Sequence, residues 1–165
     1  LKNLGVFMSD TVYLTKQKMV ELEKELEYLT TTKRIEIAQK IADARSHGDL
    51  SENADYDAAK EEQGLLELKI QKINFMLSKA QIIKADQFPD DKVYILSKVK
   101  LKDLDKNEFV EYTIVSSEES DFLENKISVT SLVGKALLGK TLGEKISVKV
   151  PAGTLNYEIV GISKS

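Results

Sequence analysis

Two successive runs of apolar residues at steps of three and four, separated by a short break, constrain this 165-residue chain more than any other feature. The first run is Met19, Leu22, Leu26 and Leu29, then Ile37, Ile41 and Ala44. The second is Tyr56, Ala59, Gln63, Leu66, Ile70, Ile73, Leu77 and Ala80. Such spacing lays one apolar seam along each of two helices, the pattern of a coiled coil. Continuing by four from Leu29 meets Lys33 before Ile37, so an extra residue enters the first seam. This is a stutter, predicted to relax the left-handed supercoil locally without ending the helix. Thr15 is placed to cap that helix, and neither Pro nor Gly interrupts it before Gly48. Because Ser46–Asp49 is too short to carry the chain elsewhere, the second helix must return along the first. The expected product is an antiparallel hairpin with arms of about thirty residues, each roughly 45 Å long. That exceeds what a compact domain needs, so the tip should project as a probe.

After Ala85 the period changes. Val93–Leu101, Glu108–Val115, Glu144–Val150 and Thr154–Ile162 alternate apolar with polar residues or are rich in Val, Ile, Tyr and Thr, which predicts strands. Between the second and third of these, Ser131–Gly139 carries Leu132, Val133, Ala136 and Leu137 at helical spacing, with Gly139 placed to end a helix. The fold class expected is therefore α+β: an N-terminal antiparallel helical hairpin over residues 8–85, and a small sheet with one helix over 86–165. Asp86–Asp91, containing Phe88-Pro89, reads as the junction. Leu1–Phe7 carries no pattern and precedes Met8 directly, so residues 1–7 read as an extension outside the fold.

Composition narrows the function. With no cysteine, a disulfide framework, a thiolate metal site and a cysteine nucleophile are all excluded. The net charge of −3 argues against a protein that coats duplex DNA by neutralising its phosphates, so any nucleic-acid contact must be local. No apolar run approaches the roughly 20 residues that span a bilayer, and residues 1–7 lack the features of a signal peptide. A cytoplasmic protein without a membrane partner is expected.

The break between the helices, His47-Gly48-Asp49-Leu50-Ser51-Glu52-Asn53-Ala54-Asp55-Tyr56, holds the chemistry. Read structurally, His47 sits in the last turn of the first helix, Gly48 ends it in a left-handed conformation, and Asp49 and Glu52 form the N-cap and N3 residues of a capping box. Read functionally, Asp49 and Glu52 are two carboxylates at the end of a long hairpin, where packing leaves them open. Mg²⁺ keeps several waters and is commonly held by one or two carboxylates plus groups from elsewhere, so this pair suits a metal shared with another molecule's site. Both readings can hold together, one oxygen of each carboxylate capping while the other faces outward.

The stretch Ala42-Asp43-Ala44-Arg45-Ser46-His47-Gly48-Asp49-Leu50-Ser51-Glu52-Asn53-Ala54-Asp55-Tyr56-Asp57-Ala58-Ala59-Lys60 resembles the tip signature of the GreA/GreB transcript-cleavage factors. The likeness extends over nearly all of Met8–Ser165, including Leu123-Glu124-Asn125-Lys126-Ile127-Ser128 and Gly134-Lys135-Ala136-Leu137-Leu138-Gly139-Lys140. Length and two-domain layout lie closer to GreA than to GreB, and Leu132 stands where the family often has Pro. The resemblance implies a coiled-coil hairpin followed by an FKBP-like domain that docks on the rim of the secondary channel of bacterial RNA polymerase, the hairpin entering that channel. It implies that Asp49 and Glu52 help hold the second Mg²⁺ and position water for hydrolysis of backtracked nascent RNA by the polymerase itself. That is two-metal chemistry, in which this chain alone cleaves nothing and binds no cofactor stably.

Other residues carry smaller expectations. Gly48, Asn53, Asp55 and Tyr56 would shape the tip, Asn53 by a hydrogen bond across it and Tyr56 by beginning the apolar seam. Asp55 alone reads as a solvated helix-face acid. Arg45 and Lys60, flanking the tip, are the candidates for contact with the 3′ end of the extruded RNA; Lys33, Arg34 and Lys40 along the first arm read as its wet face. Phe109, Tyr112, Phe122 and Tyr157 are too few to argue a prolyl isomerase pocket, and fold likeness does not establish activity. Phe122 could belong to a docking surface. A monomer is expected. The alternatives are a Gre-fold inhibitor acting through the same channel, which would carry a denser acidic tip, and a module that uses its coiled coil to dimerise.

Overall fold

The computed structural model of the chain describes residues 11–48 and 53–165, in two units: Gln17–Ala80, and Val12–Lys16 together with Gln81–Ser165. Residues 1–7 lie outside the described residues.

In the first unit, helix α1 (Lys16–Tyr28) passes through a π-helical turn, Leu29–Lys33, into α2 (Arg34–Arg45), and α3 (Ala54–Ser78) returns. The residues with least exposure are Leu22, Leu29, Ile37, Ile41 and Ala44 on the first arm, and Ala59, Leu66, Ile70 and Ile73 on the second. All of them belong to the predicted seams, whose other members, among them Met19, Leu26, Tyr56 and Gln63, are half-buried. The irregularity between Leu29 and Ile37 takes a different form from the one expected. Instead of spreading through the supercoil, the extra residue is absorbed in the π turn, where the Arg34 N–H bonds to the Leu29 carbonyl. Eight residues of ideal α-helix would rotate Ile37 about 80° off the seam defined by Leu29; a π turn holds one more residue and returns it to register. Thr30 Oγ1 donates to the Leu26 carbonyl at 2.8 Å and Thr31 Oγ1 to that of Glu27 at 2.6 Å, so hydroxyls serve carbonyls one turn back at the bulge. Along the arms, exposed ion pairs link opposite helices: Arg34–Glu67 at 2.9 Å, Lys40–Glu62 at 3.0 Å and Lys69–Glu25 at 2.8 Å.

The second arm stops at Ser78, earlier than its seam suggested, because Ala80 enters strand β2 (Ala80–Ile82), which pairs with β1 (Val12–Leu14). Neither three-residue strand was anticipated from the sequence. Both are too short to show alternation.

The second unit is a five-stranded mixed sheet in the order β5-β4-β3-β7-β6. Its strands are β3 (Ser97–Asp103), β4 (Glu108–Val115), β5 (Lys126–Ser128), β6 (Lys145–Val150) and β7 (Gly153–Lys164), with helix α4 (Leu132–Leu137) between β5 and β6. All pairings are antiparallel except β4–β5. The core draws Val99 and Leu101 from β3, Ile114 from β4, Ile146 and Val148 from β6, Tyr157 and Ile159 from β7, and Leu137 from α4. This is period-two alternation with one helix closing the apolar face. The α+β class is the one expected.

One detail differs from the sequence reading. The strand expected from Val93 begins only at Ser97, because a turn intervenes: the Ser97 N–H bonds to the Tyr94 carbonyl, and Leu96 is left-handed at φ 71°. Val93 is nonetheless fully buried, held in a loop by bonds to the backbone of Lys140 and Gly139. Leu132 occupies the first helical position after the N-cap Ser131, whose hydroxyl accepts the Gly134 N–H. Proline is favoured at such a position but not required, so the helix starts normally with leucine there. Val12–Thr15 is tied into this unit by the Ser116 hydroxyl, which donates to the Tyr13 carbonyl, and by Glu119, whose carboxylate accepts both the Thr15 N–H and its hydroxyl.

Candidate functional site

The hairpin approaches its turn with each helix end tied down. The first arm ends at Arg45 with Ser46 as C-cap. The His47 N–H bonds to the Ala44 carbonyl at 3.2 Å and the Gly48 N–H to the Arg45 carbonyl at 3.3 Å. Gly48 has φ +101°, a backbone that strains any side chain, so glycine here lets the chain leave the helix sharply. Asp49 and Glu52, the predicted carboxylate pair, lie outside the described residues.

On the returning side the N-cap of α3 is Asn53, not Asp49. Asn53 Oδ1 accepts the Tyr56 N–H at 3.1 Å while its Nδ2 donates to the Ala44 carbonyl at 2.7 Å. One amide thus caps the second helix and closes on the end of the first. This overturns the capping box drawn on Asp49 and Glu52: with α3 starting at Ala54, neither can be its N-cap or its third residue. The signal was present in the sequence, since Asn is among the best N-cap residues. The capping-box spacing of Asp49 to Glu52 masked it.

Around this closure, Tyr56 is half-buried and its ring lies 5.9 Å under the Arg45 guanidinium. Asp55 and Asp57 occupy the first turn of α3, where the helix dipole favours negative charge. Asp55, Lys40, Asp43, His47, Ala59 and Glu62 line an open groove of about 340 Å³ between the arms. Of the two cations assigned to RNA, Lys60 donates to Gln63 at 2.9 Å and Arg45 stacks on Tyr56; among the described residues neither forms an ion pair. Farther along, the Lys40 ammonium holds the Glu62 carboxyl below the usual range, with Lys33 adding to the effect, and the Arg34 fork does the same to Glu67. Lys33, Arg34 and Lys40 are therefore engaged with acids of the hairpin itself. No group of three or more potential metal ligands occurs among the described residues.

The second unit presents a feature that the sequence only hinted at. In the turn Phe122–Glu124, capped by the Asp121 side chain on the Leu123 N–H and closed by left-handed Asn125, Phe122 is 82% exposed and Leu123 93%. Strand-like alternation cannot predict such a knuckle; the only available signal was two large apolar residues framed by Asp121 and Glu124. No described helix is long and apolar enough to cross a membrane.

An antiparallel helical hairpin whose two helix ends are linked through the Asn53 amide, with a separately organised mixed-sheet unit, defines an α+β protein. Comparison with known proteins makes the class specific. Residues 12–82 match the family model for the N-terminal domain of transcription elongation factors GreA and GreB, and residues 88–164 match that for the C-terminal domain. The chain belongs to the GreA/GreB transcription elongation factor family. It is 55% identical over 156 residues to transcription elongation factor GreA of Chlorobium phaeobacteroides, covering 94% of this chain and 98% of that protein. It is 53% identical, with the same coverage, to that of Chlorobaculum parvum. Among solved structures, GreA factor homolog 1 of Thermus thermophilus is 28% identical, with 93% of this chain and 99% of that one covered and a TM-score of 0.43.

Proposed function

We propose that this chain enters the secondary channel of bacterial RNA polymerase and stimulates the polymerase's own hydrolytic cleavage of backtracked nascent RNA, rescuing arrested complexes. The observation that carries this reading is family membership over both halves of the chain, at more than half identity to GreA factors, together with the intact tip sequence Gly48-Asp49-Leu50-Ser51-Glu52-Asn53.

In this reading Asp49 and Glu52 supply carboxylate oxygens at the polymerase active centre. Two hard oxygen donors without histidine or cysteine suit Mg²⁺, and two are too few to retain it alone, which fits an ion shared with the polymerase. Bound there, such an ion supplies Lewis-acid stabilisation and activated water. The remaining residues position the pair. Gly48 permits the sharp exit from α2, Asn53 locks the start of α3 to the end of α2, and Tyr56 packs beneath Arg45. Arg45 and Lys60, which flank the tip and join no ion pair among the described residues, meet RNA phosphate, and Asp55 adds negative charge at the rim.

The sheet unit docks on the channel rim, and the exposed Phe122–Leu123 knuckle fits that task because desolvating two large apolar side chains gives an interface its central anchor. The factor works as one copy on the polymerase, in the cytoplasm, and has no nuclease activity alone. The inhibitor alternative is not favoured, since the relatives sharing more than half the sequence are named GreA elongation factors. The test is a stalled, backtracked bacterial polymerase complex with Mg²⁺. Adding this protein should release short 3′ RNA fragments faster than the complex alone; suppression of the intrinsic cleavage would put the inhibitor reading in its place.

A further inference from the structure

Helix α3 carries two rows of residues, and the hairpin uses only one. The inner row, Ala59, Leu66, Ile70 and Ile73, is buried against the first arm. A second row runs Ala58, Glu61, Leu65, Leu68, Lys72 and Phe75, at steps of three, four, three, four and three. At 100° per residue it lies about 140° around the helix from the inner row. All six residues are exposed, Leu65, Leu68 and Phe75 to 61%, 63% and 53%. One exposed leucine needs no explanation, but three large apolar residues on a sustained heptad repeat form a coiled-coil seam that lacks its second helix.

The sequence of this outer seam specifies its partner. In antiparallel coiled coils the first apolar position of each heptad on one helix faces the second on the other. If a second α3 is placed antiparallel about a twofold axis passing between Leu66 and Glu67, Leu65 of one copy faces Leu68 of the other, Glu61 faces Lys72, and Ala58 faces Phe75. One axis thus pairs apolar with apolar, acid with base, and the smallest side chain with the largest. A parallel, in-register pairing would oppose Glu61 to Glu61, Lys72 to Lys72 and Phe75 to Phe75. Among the described residues, neither Glu61 nor Lys72 takes part in an ion pair of the hairpin. Being eleven residues apart, about 16 Å along the helix, they cannot serve each other within one chain. Gly64, an unfavourable residue in mid-helix, meets nothing within 4 Å of where its Cβ would stand, so the described hairpin gives no packing reason for it. In the paired arrangement it flanks the axis and lowers the helix surface where two copies approach.

We propose that the outer face of α3 is a self-association surface through which two copies of this chain pair antiparallel, in the register that sets Glu61 against Lys72. The surface is isologous, as a twofold dimer requires. Its eighteen residues span about 27 Å of a single helix face, short for the extended interface that holds a permanent dimer, so the pair is a reversible one. The single copy on polymerase and the pair in concentrated free protein are different states of the same chain.

The test is sedimentation velocity of the full-length chain from about 2 to 500 µM, a range bracketing such a reversible interface. The mass should rise from monomer toward dimer. Glu61→Lys and Lys72→Glu should each weaken dimerisation at least about tenfold, because each places like charges opposite one another twice, and the double exchange Glu61→Lys with Lys72→Glu should return it to within about threefold of the parent. Unchanged helical circular dichroism confirms that each variant is folded. A monomer throughout the range would overturn the proposal, as would a double variant no better than the singles. If the parent stays monomeric while Leu65→Ser lowers binding to polymerase, the face belongs to that partner instead, which also overturns it.

Discussion

Replacing Asn53 by alanine removes two bonds at once, and its effect can be worked out from the geometry. The side chain caps α3 through the Tyr56 N–H at 3.1 Å and reaches the Ala44 carbonyl at 2.7 Å. An N-cap contributes about 1 kcal/mol and a neutral hydrogen bond about as much, so Asn53→Ala should destabilise the closed tip by about 2 kcal/mol. That corresponds to about a thirtyfold rise in local opening. Asn53→Asp keeps the capping oxygen but turns an acceptor toward the Ala44 carbonyl in place of the donor, so its cost should be at least half, or at least about a fivefold rise. Global unfolding is a poor probe of a hairpin end, because the tip can open while the arms stay paired. Amide exchange followed by NMR at Tyr56 and Asp57, whose N–H groups bond to the Asn53 side chain and carbonyl, reads the opening directly. If Asn53→Ala changed protection by less than about threefold, or Asn53→Asp left it unchanged, the cross-hairpin bond would not be holding the tip.

Three further outcomes follow from the packing and charges. Gly134→Ala should destabilise the sheet unit by at least about 2 kcal/mol in denaturant unfolding, since a Cβ there would stand 2.0 Å from the Ser128 carbonyl oxygen, a backbone atom that cannot step aside. Deleting Thr31 should leave the hairpin folded and its helicity unchanged, because it removes the residue that the π turn absorbs; deleting Ala38 should turn Ile41 and Ala44 about 100° off the seam and lower the melting temperature sharply. The hairpin should lose stability as pH falls below about 4.3, because the Glu62 and Glu67 carboxyls are depressed in the folded state. Their contribution is present above the unfolded value and is lost as pH drops through the lower folded values. Melting curves of Glu62→Gln/Glu67→Gln should show a flatter acid limb, and salt should shrink the difference, since both pairs are exposed.

The arms were legible because burial alone sets their pattern. Leu22, Leu29, Ile37, Ile41 and Ala44 on one arm and Ala59, Leu66, Ile70 and Ile73 on the other are buried, and no competing signal overlays that period. The same period located the irregularity after Leu29 but not its form, since a heptad count records an extra residue without saying whether the helix spreads it or bulges. Strands β4, β6 and β7 were readable from alternation. Strands β1, β2 and β5 are three residues each, shorter than the window over which alternation can be counted. The start of β3 was misplaced for a different reason: Val93 is as buried as any strand residue, but by loop bonds to Gly139 and Lys140 that pair positions far apart in sequence.

At the tip, residue types were readable and their local roles were not. Asp49 and Glu52 have capping-box spacing, and only the geometry of Asn53 reveals that the helix starts four residues later than that spacing suggests. Arg45 drew attention by its position beside the tip, but its stacking on Tyr56 depends on the closure made by Asn53. The exposed Leu123 beside Phe122 is a property of a capped turn, and apolar residues in a sequence do not announce that they will be left in solvent.

The most direct test of the account separates binding from cleavage at Asp49 and Glu52. In a backtracked bacterial polymerase complex with Mg²⁺, the Asp49→Asn/Glu52→Gln double variant should bind with nearly the affinity of the parent, competing with it at similar concentrations, while release of 3′ RNA fragments falls to the rate without factor. Undiminished cleavage by the double variant, or loss of binding with the fold intact, would contradict the assignment of the tip carboxylates to the chemical step.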